Sequence, residues 1–230
     1  MLLLFDIDGT LVTGAAHEHA LALLHAARTV YGVDDPESVP LDAAGRTDLE
    51  IVRLILLNLG VSAARIDEGL DDLSVQACEE FARTCPESLA DRVVPGIAPL
   101  VAALAGRDDV RLALVTGNLE PIARLKLGRA GLGKHFAAGQ GAFGSDEEDR
   151  AALPAIARAR AGAPGAPHPR ARTLVIGDTP RDIACARADG VRCVAVGTGP
   201  YGADELAGAD AVARDAVELE ALLDAELARS

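Results

Sequence analysis

Tryptophan is absent from this 230-residue chain, aromatic residues make up 3 %, and Met1 is the single methionine. Half of the residues are nonetheless hydrophobic, so a sizeable core is available and has to be aliphatic, built from Leu, Val, Ile and Ala. Cysteine is scarce: Cys78, Cys85, Cys185 and Cys193 form no Cys-x-x-Cys pair and have no His cluster beside them. That argues against a zinc site or a disulfide framework and for buried free thiols in a reducing compartment. No run of about 18 apolar residues occurs, which excludes a membrane-spanning helix. Met1 to Phe5 is apolar but short, has no basic lead or cleavage site, and is interrupted by Asp6, so it does not read as a signal peptide. Positive charge is also in short supply, 22 Lys and Arg against 35 Asp and Glu, for a net charge of -13. A broad acidic surface repels nucleic acid and anionic lipid, and neither is expected as a partner. A cytoplasmic protein is expected, and any anionic ligand would need a metal or a few local Arg or Lys. Nothing in the sequence speaks to oligomeric state.

The patterns that are present alternate. Leu2 to Phe5 is a continuous apolar run ended by acids and a glycine, as a fully buried parallel strand would be. Arg111 to Val115, Arg172 to Ile176 and Val191 to Val196 repeat it. Helical patterns lie between them, at Pro95 to Ala105, Pro121 to Ala130, Asp149 to Ala161 and Arg181 to Ala188, with Gly-rich breaks after several. Alternation of this kind implies a parallel sheet covered on both faces. From about Ala15 to Arg92 the alternation stops, and His17 to Tyr31, Asp48 to Leu59 and Ala64 to Cys85 all read as helices. The expected organisation is therefore an α/β core from residues 1–14 and 93–230 with a helical insert at 15–92. The Glu218-Leu-Glu-Ala-Leu-Leu pattern predicts an amphipathic C-terminal helix.

Three motifs follow the strand-like runs. Asp6-Ile7-Asp8-Gly9-Thr10 comes directly after the first. An acid at the end of a buried strand is costly without a cation or donors nearby. Two acids two positions apart face the same side of an extended chain, and Gly9 permits a sharp turn and a close approach to a ligand. Thr116-Gly117-Asn118 follows the second run; a Thr hydroxyl and backbone N–H groups at a helix start can hold phosphate oxygens. Gly177-Asp178-Thr179-Pro180-Arg181-Asp182 follows the third, and two acids there suit a hard cation, although Asp182 is equally placed to stabilise a helix N-terminus.

In order and context these motifs resemble the first, second and fourth motifs of the haloacid dehalogenase superfamily, in its phosphoglycolate-phosphatase-like subgroup with a helical cap. The resemblance implies a Rossmann-like, doubly wound parallel sheet with an inserted α-helical cap, and Mg²⁺-dependent hydrolysis of a small-molecule phosphate ester. Carried over residue by residue, Asp6 is the nucleophile and a metal ligand. Asp8 is the general acid/base and binds the metal through its carbonyl. Asp178 and Asp182 complete the metal site. Thr116, with Gly9, Thr10, Gly117 and Asn118, surrounds the phosphate. A carboxylate nucleophile splits one hard displacement into two through an acyl phosphate, and the second acid, which dehalogenases usually lack, favours phosphate chemistry.

The family also places a Lys or Arg before the fourth motif, and here the sequence departs from the common pattern. Of the two lysines, Lys126 lies well inside the helix after Thr-Gly-Asn and is expected far from the strand ends, and Lys134 sits in a loop. Arg150 opens the appropriate helix and takes the role, the alternative being a solvated residue paired with Asp146 or Glu147. In the insert, Ala44-Gly45-Arg46-Thr47-Asp48 resembles the subgroup's substrate-facing loop; Arg46 then binds a carboxylate or phosphate, or else only shapes a helix start. His17 reads as a surface residue. Two rivals use the same scaffold, a phosphosugar mutase and a catalytically idle phosphate-binding protein. A phospho-accepting signalling domain is disfavoured by the insert and by Asp-x-Asp-Gly-Thr.

Overall fold

The computed structural model describes residues 1–229, the side chain of Ala16 excepted. Its centre is a six-stranded parallel sheet. The strands are β1 (Leu2–Phe5), β2 (Arg111–Thr116), β3 (Ala142–Phe143), β4 (Thr173–Gly177), β5 (Arg192–Val196) and β6 (Ala211–Ala213), in the order β3-β2-β1-β4-β5-β6. The chain winds outward from β1 through β2 to β3, then returns to the other side of β1 as β4. The strand order thus reverses at β1/β4, and the crevice beyond the carboxyl ends of strands at such a reversal is where open α/β sheets bind ligands.

β1 explains why the sheet is buried on both faces. All four of its side chains are fully buried, and their alternation splits the core. Leu3 and Phe5 join one apolar cluster, Leu2 and Leu4 the other, as a period of two requires. The second cluster holds α6 (Leu153–Ala161) and α7 (Pro180–Ala188) against the sheet through Leu153, Ala157, Ile183 and Ala186. The first holds α4 (Ile97–Ala105), α5 (Glu120–Arg129) and α8 (Ala216–Leu227) through Leu100, Ile122 and Leu223. The segment expected to begin at Asp149 enters by a 3₁₀ turn over Arg150–Ala152 before α6. The short strands β3 and β6 were not foreseen from the apolar runs; at two and three residues they carry too little pattern to register.

Between β1 and β2 the chain is helical, as expected: α1 (Ala16–Tyr31), α2 (Asp48–Asn58) and α3 (Ala63–Thr84). α3 buries Ile66, Gly69, Leu73, Ala77 and Phe81, a stripe at intervals of three and four residues that faces α1. Thr47 caps α2 by accepting from the Glu50 N–H, and Gly32 ends α1 in a left-handed conformation. These helices share the first apolar cluster with the sheet. Among the described residues no helix is long and apolar enough to cross a membrane, and all four cysteines are free.

Because Leu3 is fully buried at the centre of this packing, Leu3→Ala is expected to lower unfolding free energy by about 2–5 kcal/mol. Leu21→Ala, on the exposed face of α1, should stay within about 0.5 kcal/mol. Urea denaturation of the two variants checks the contrast.

Candidate active site

The ends of β1 and β4 bring distant acids together. The Asp6 N–H continues the ladder by donating to the Ile176 carbonyl at 2.9 Å, which sets Asp6 beside the Gly177-Asp178 turn. Carboxylate oxygens of Asp6, Asp178 and Asp182 all lie within 4.8 Å of one another, and all three residues are buried. Gly9, at φ 86°, and Gly199 allow this: a Cβ at either position would lie 2.2 or 1.8 Å from Asp178 Oδ2. Asp182 has two duties. Its Oδ2 accepts from the Thr179 N–H and hydroxyl at 3.0 and 2.7 Å, closing a capping box on α7, while its Oδ1 meets Arg150. The capping reading thus holds for this residue, and its carboxylate also stands in the acidic cluster.

Arg150 is the buried counter-charge. Its guanidinium lies 3.1 Å from Asp6 Oδ1 and bonds Asp182, rather than the nearby Asp146 or Glu147; Asp146 is taken by Arg160. Burial pulls Arg150 down, but Asp182 and Asp6 outweigh it and hold its pKa well above the ordinary value. Its Nε is buried with no hydrogen-bond partner among the described residues, a donor whose isolation is costly until some acceptor reaches it. One cation does not neutralise three acids. Burial pushes Asp6 up to about 7; Arg150 opposes this, and Asp182 and Asp8 add to it. Burial, then Asp6 and Asp182, push Asp178 up to about 8 against the pull of the Thr10 hydrogen bond and Arg150. Clustered oxygens that burial, and then their mutual repulsion, keep from ionising fit a hard divalent cation, which takes oxygen ligands and would offset both.

Asp8 faces a second network, and here the structure corrects an expectation. Lys126 is not remote from the strand ends. Its ammonium lies 2.6 and 2.8 Å from the Asp8 carboxylate oxygens and 2.8 Å from Asn118 Oδ1. Asn118 Nδ2 donates to Asp8 at 2.9 Å. Burial alone would raise Asp8, but the charge and hydrogen bonds of Lys126, with the Asn118 hydrogen bond, outweigh it and hold the carboxyl below its usual range. The network extends into the helical insert. Lys126 reaches His19 Nδ1 at 3.1 Å; since an ammonium only donates, Nδ1 accepts, leaving His19 Nε2 to donate to Asp48 Oδ2 at 2.9 Å. The same Asp48 oxygen accepts from the Leu119 N–H at 2.7 Å. Phe81 of α3 packs edge-on to the His19 ring and lies 5.9 Å from the ammonium.

Lys126, His19 and Asp48 were missed as site residues, yet two of them carried a signal. Lys126 sits on the buried stripe of α5 with Ile122, Ala123 and Leu127, and His19 on that of α1 with Ala22, Leu23 and Ala26. An ionisable residue on an apolar stripe demands a partner. His17, by contrast, is exposed. The other nominated residues fall as follows. Asn118, Gly9 and Arg46 line the central cavity with Asp6, Asp8, Arg150 and Asp178. Thr10 donates to Asp178 Oδ1 at 3.0 Å. Thr116 is fully buried at the end of β2, and the Gly117 carbonyl accepts from the Asp48 N–H at 2.8 Å, so these two lie beneath the Gly45 to Asp48 turn. Arg46 gives its charge to Glu50 and donates from Nε to the Asp42 carbonyl at 2.9 Å.

Comparison with known proteins places this geometry. The family model described as haloacid dehalogenase-like hydrolase matches residues 3–187, and one of HAD-hydrolase-like proteins matches residues 150–225. A phosphoglycolate phosphatase of Rhodospirillum rubrum is 32 % identical over 222 residues, covering 91 % of this chain and 84 % of that enzyme. The tyrosine-protein kinase PtkA of Mycobacterium tuberculosis is 32 % identical over 202 residues, 87 % of this chain but 63 % of the kinase. A mutant CbbY of Rhodobacter sphaeroides, solved with xylulose-1,5-bisphosphate, has a TM-score of 0.67 at 22 % identity, covering 95 % of both chains. That last likeness is one of fold.

Two outcomes follow from the electrostatics. Lys126→Met leaves Asp8 without its cation; because the Asp8 side chain keeps 28 % exposure, a loss of about 3 kcal/mol is expected, the low end for breaking a buried pair, read by urea denaturation. In chelator-treated protein, Asp6 and Asp178 bind protons more tightly folded than unfolded, where carboxyls titrate near 4. Folding therefore takes up protons, and stability falls as pH rises from about 4 to about 8. Asp178→Asn should flatten that slope, so the variant gains on the parent between pH 5 and pH 8 in parallel denaturation curves.

Proposed function

The chain belongs to the haloacid dehalogenase-like hydrolases and is a phosphoric monoester hydrolase, and within that class we propose Mg²⁺-dependent hydrolysis through an acyl phosphate of Asp6. The observation that carries the proposal is the convergence of the Asp6, Asp178 and Asp182 oxygens within 4.8 Å, with the Arg150 cation 3.1 Å from Asp6. Asp6, Asp178, Asp182 and the Asp8 carbonyl would hold the ion. When bound, Mg²⁺ supplies positive charge that offsets repulsion between the attacking carboxylate and the phosphoryl group.

The chain's own groups do the rest. An Asp6 oxygen attacks phosphorus, the bond to the leaving oxygen breaks, and Asp8 gives that oxygen a proton. Arg150, fixed and always charged, faces the phosphoryl oxygens, and its unpartnered Nε gains an acceptor there. Asp8 then takes a proton from water, which attacks the phosphorus of the aspartyl phosphate, releasing phosphate and restoring Asp6. The Lys126 contact favours Asp8 in its ionised form, which suits this second step; the first step needs a proton held against that field. Residues 15–92 act as a cap whose hinges are Thr13 to Ala15 and Val94 to Gly96, closing to exclude water.

Asp6→Asn is expected to reduce Mg²⁺-dependent phosphate release from a panel of small phosphate esters to background while the melting profile stays cooperative. Turnover at the parent rate in that variant would remove Asp6 from the mechanism.

A further inference from the structure

The cavity over Asp6 and Asp8 has a volume of about 660 Å³, large for a two-carbon leaving group and within the range of sites that enclose whole small molecules. Its two ends differ in chemistry. At the sheet end stand Asp6, Asp8, Asp178 and Arg150. The end in the helical insert is walled by Leu23 and Leu24 of α1, Val39 and Leu41 of the connecting segment, and Ile51 and Ile55 of α2. Among the described residues the lining holds two cations, Arg46 and Arg150, and both are already paired. Glu50 takes Arg46; Asp6 and Asp182 take Arg150. The acids Glu37 and Asp48 also line the wall. A carboxylate or second phosphate seated against this wall would exchange water for aliphatic contact and meet only counter-charges that are already paired, which is unfavourable.

Resting on the phosphatase reading, we propose that the leaving group is an uncharged alkyl or aryl body of about six carbons, seated against Leu23, Leu24, Leu41, Ile51 and Ile55, and not a small carboxylate such as glycolate. The relatedness to phosphoglycolate phosphatases then marks shared phosphate chemistry with a different wall around the leaving group. The same lining disfavours a phosphosugar mutase, which must seat a second phosphate.

Ethyl, butyl and hexyl phosphate and 2-phosphoglycolate, compared at one Mg²⁺ concentration, test this. kcat/KM should rise roughly fourfold per added methylene until the wall is filled, with phosphoglycolate below butyl phosphate. Calorimetric binding of the same four compounds to the Asp6→Asn protein reads the cavity without turnover and should give the same order. Leu41→Lys, at a half-exposed position, should flatten the chain-length slope and raise phosphoglycolate; Ile51→Lys provides the same test should the first variant fold poorly. A flat series, or phosphoglycolate leading in both kinetics and binding, overturns the inference. Absence of hydrolysis of every ester would count against the phosphatase reading alone, since the binding series still decides the character of the wall.

Discussion

Three carboxylates buried around one point, with a single arginine to offset them, are the constraint on which the rest of this molecule depends. Gathering Asp6, Asp178 and Asp182 within 4.8 Å costs more than Arg150 returns, as the upward displacement of Asp6 and Asp178 shows. Such a cluster exists only if the surrounding packing enforces it. β1 and β4 are adjacent, in parallel register and buried on both faces, so the acids after them cannot move apart without disturbing the central strands. The capping box of α7 fixes Asp182, and glycines at positions 9 and 199 let the backbone close over Asp178. Stability is given up locally at this cluster, as is common where ionisable groups with displaced pKa values gather in a cleft.

The second network solves a different problem. Asp8 stands next to that acidic cluster yet titrates in the opposite direction, because Lys126 faces it. The two networks divide the carboxyls of one short motif: Asp6 shares Arg150 with the acidic cluster, and Asp8 has Lys126. Lys126 is in turn held by His19 of α1, and His19 by Asp48 of α2, which also accepts from the backbone at Leu119. The charge on Asp8 is thereby tied to the seating of the helical insert on the core. A conformational change that lifts α1 or α2 has to break hydrogen bonds that bear on Asp8.

Much of the fold was legible because its signals are local. Leu2 to Phe5 could only be a buried strand, and the helix-period patterns from His17 onward could only be an insert. Asp6, Asp8 and Asp178 were legible because acids at the ends of apolar runs are expensive and so informative. Arg150 was legible from its place before the fourth motif. The placement of Lys126 was not legible: its distance along the helix from Asn118 suggests a remote position, but the phase of α5 turns it inward beside Ile122 and Ala123. Arg46 stood open between a substrate contact and a helix-start residue, and the sequence does not show that it lines the cavity with its charge paired to Glu50, one helical turn on. β3 and β6 escaped because they are short edge strands whose pairing is supplied by their neighbours.

What the sequence determined by itself is the alternation of strands and helices and the identity of the acids that end the strands, since periodicity and the cost of burying charge both act over a few residues. What tertiary structure alone decided is which cation meets which carboxylate and what lines the cavity. Lys126, His19 and Asp48 come from three helices, and the apolar wall from two helices and the segment between them. Their meeting depends on helix phase and packing angle, which no short stretch of sequence encodes.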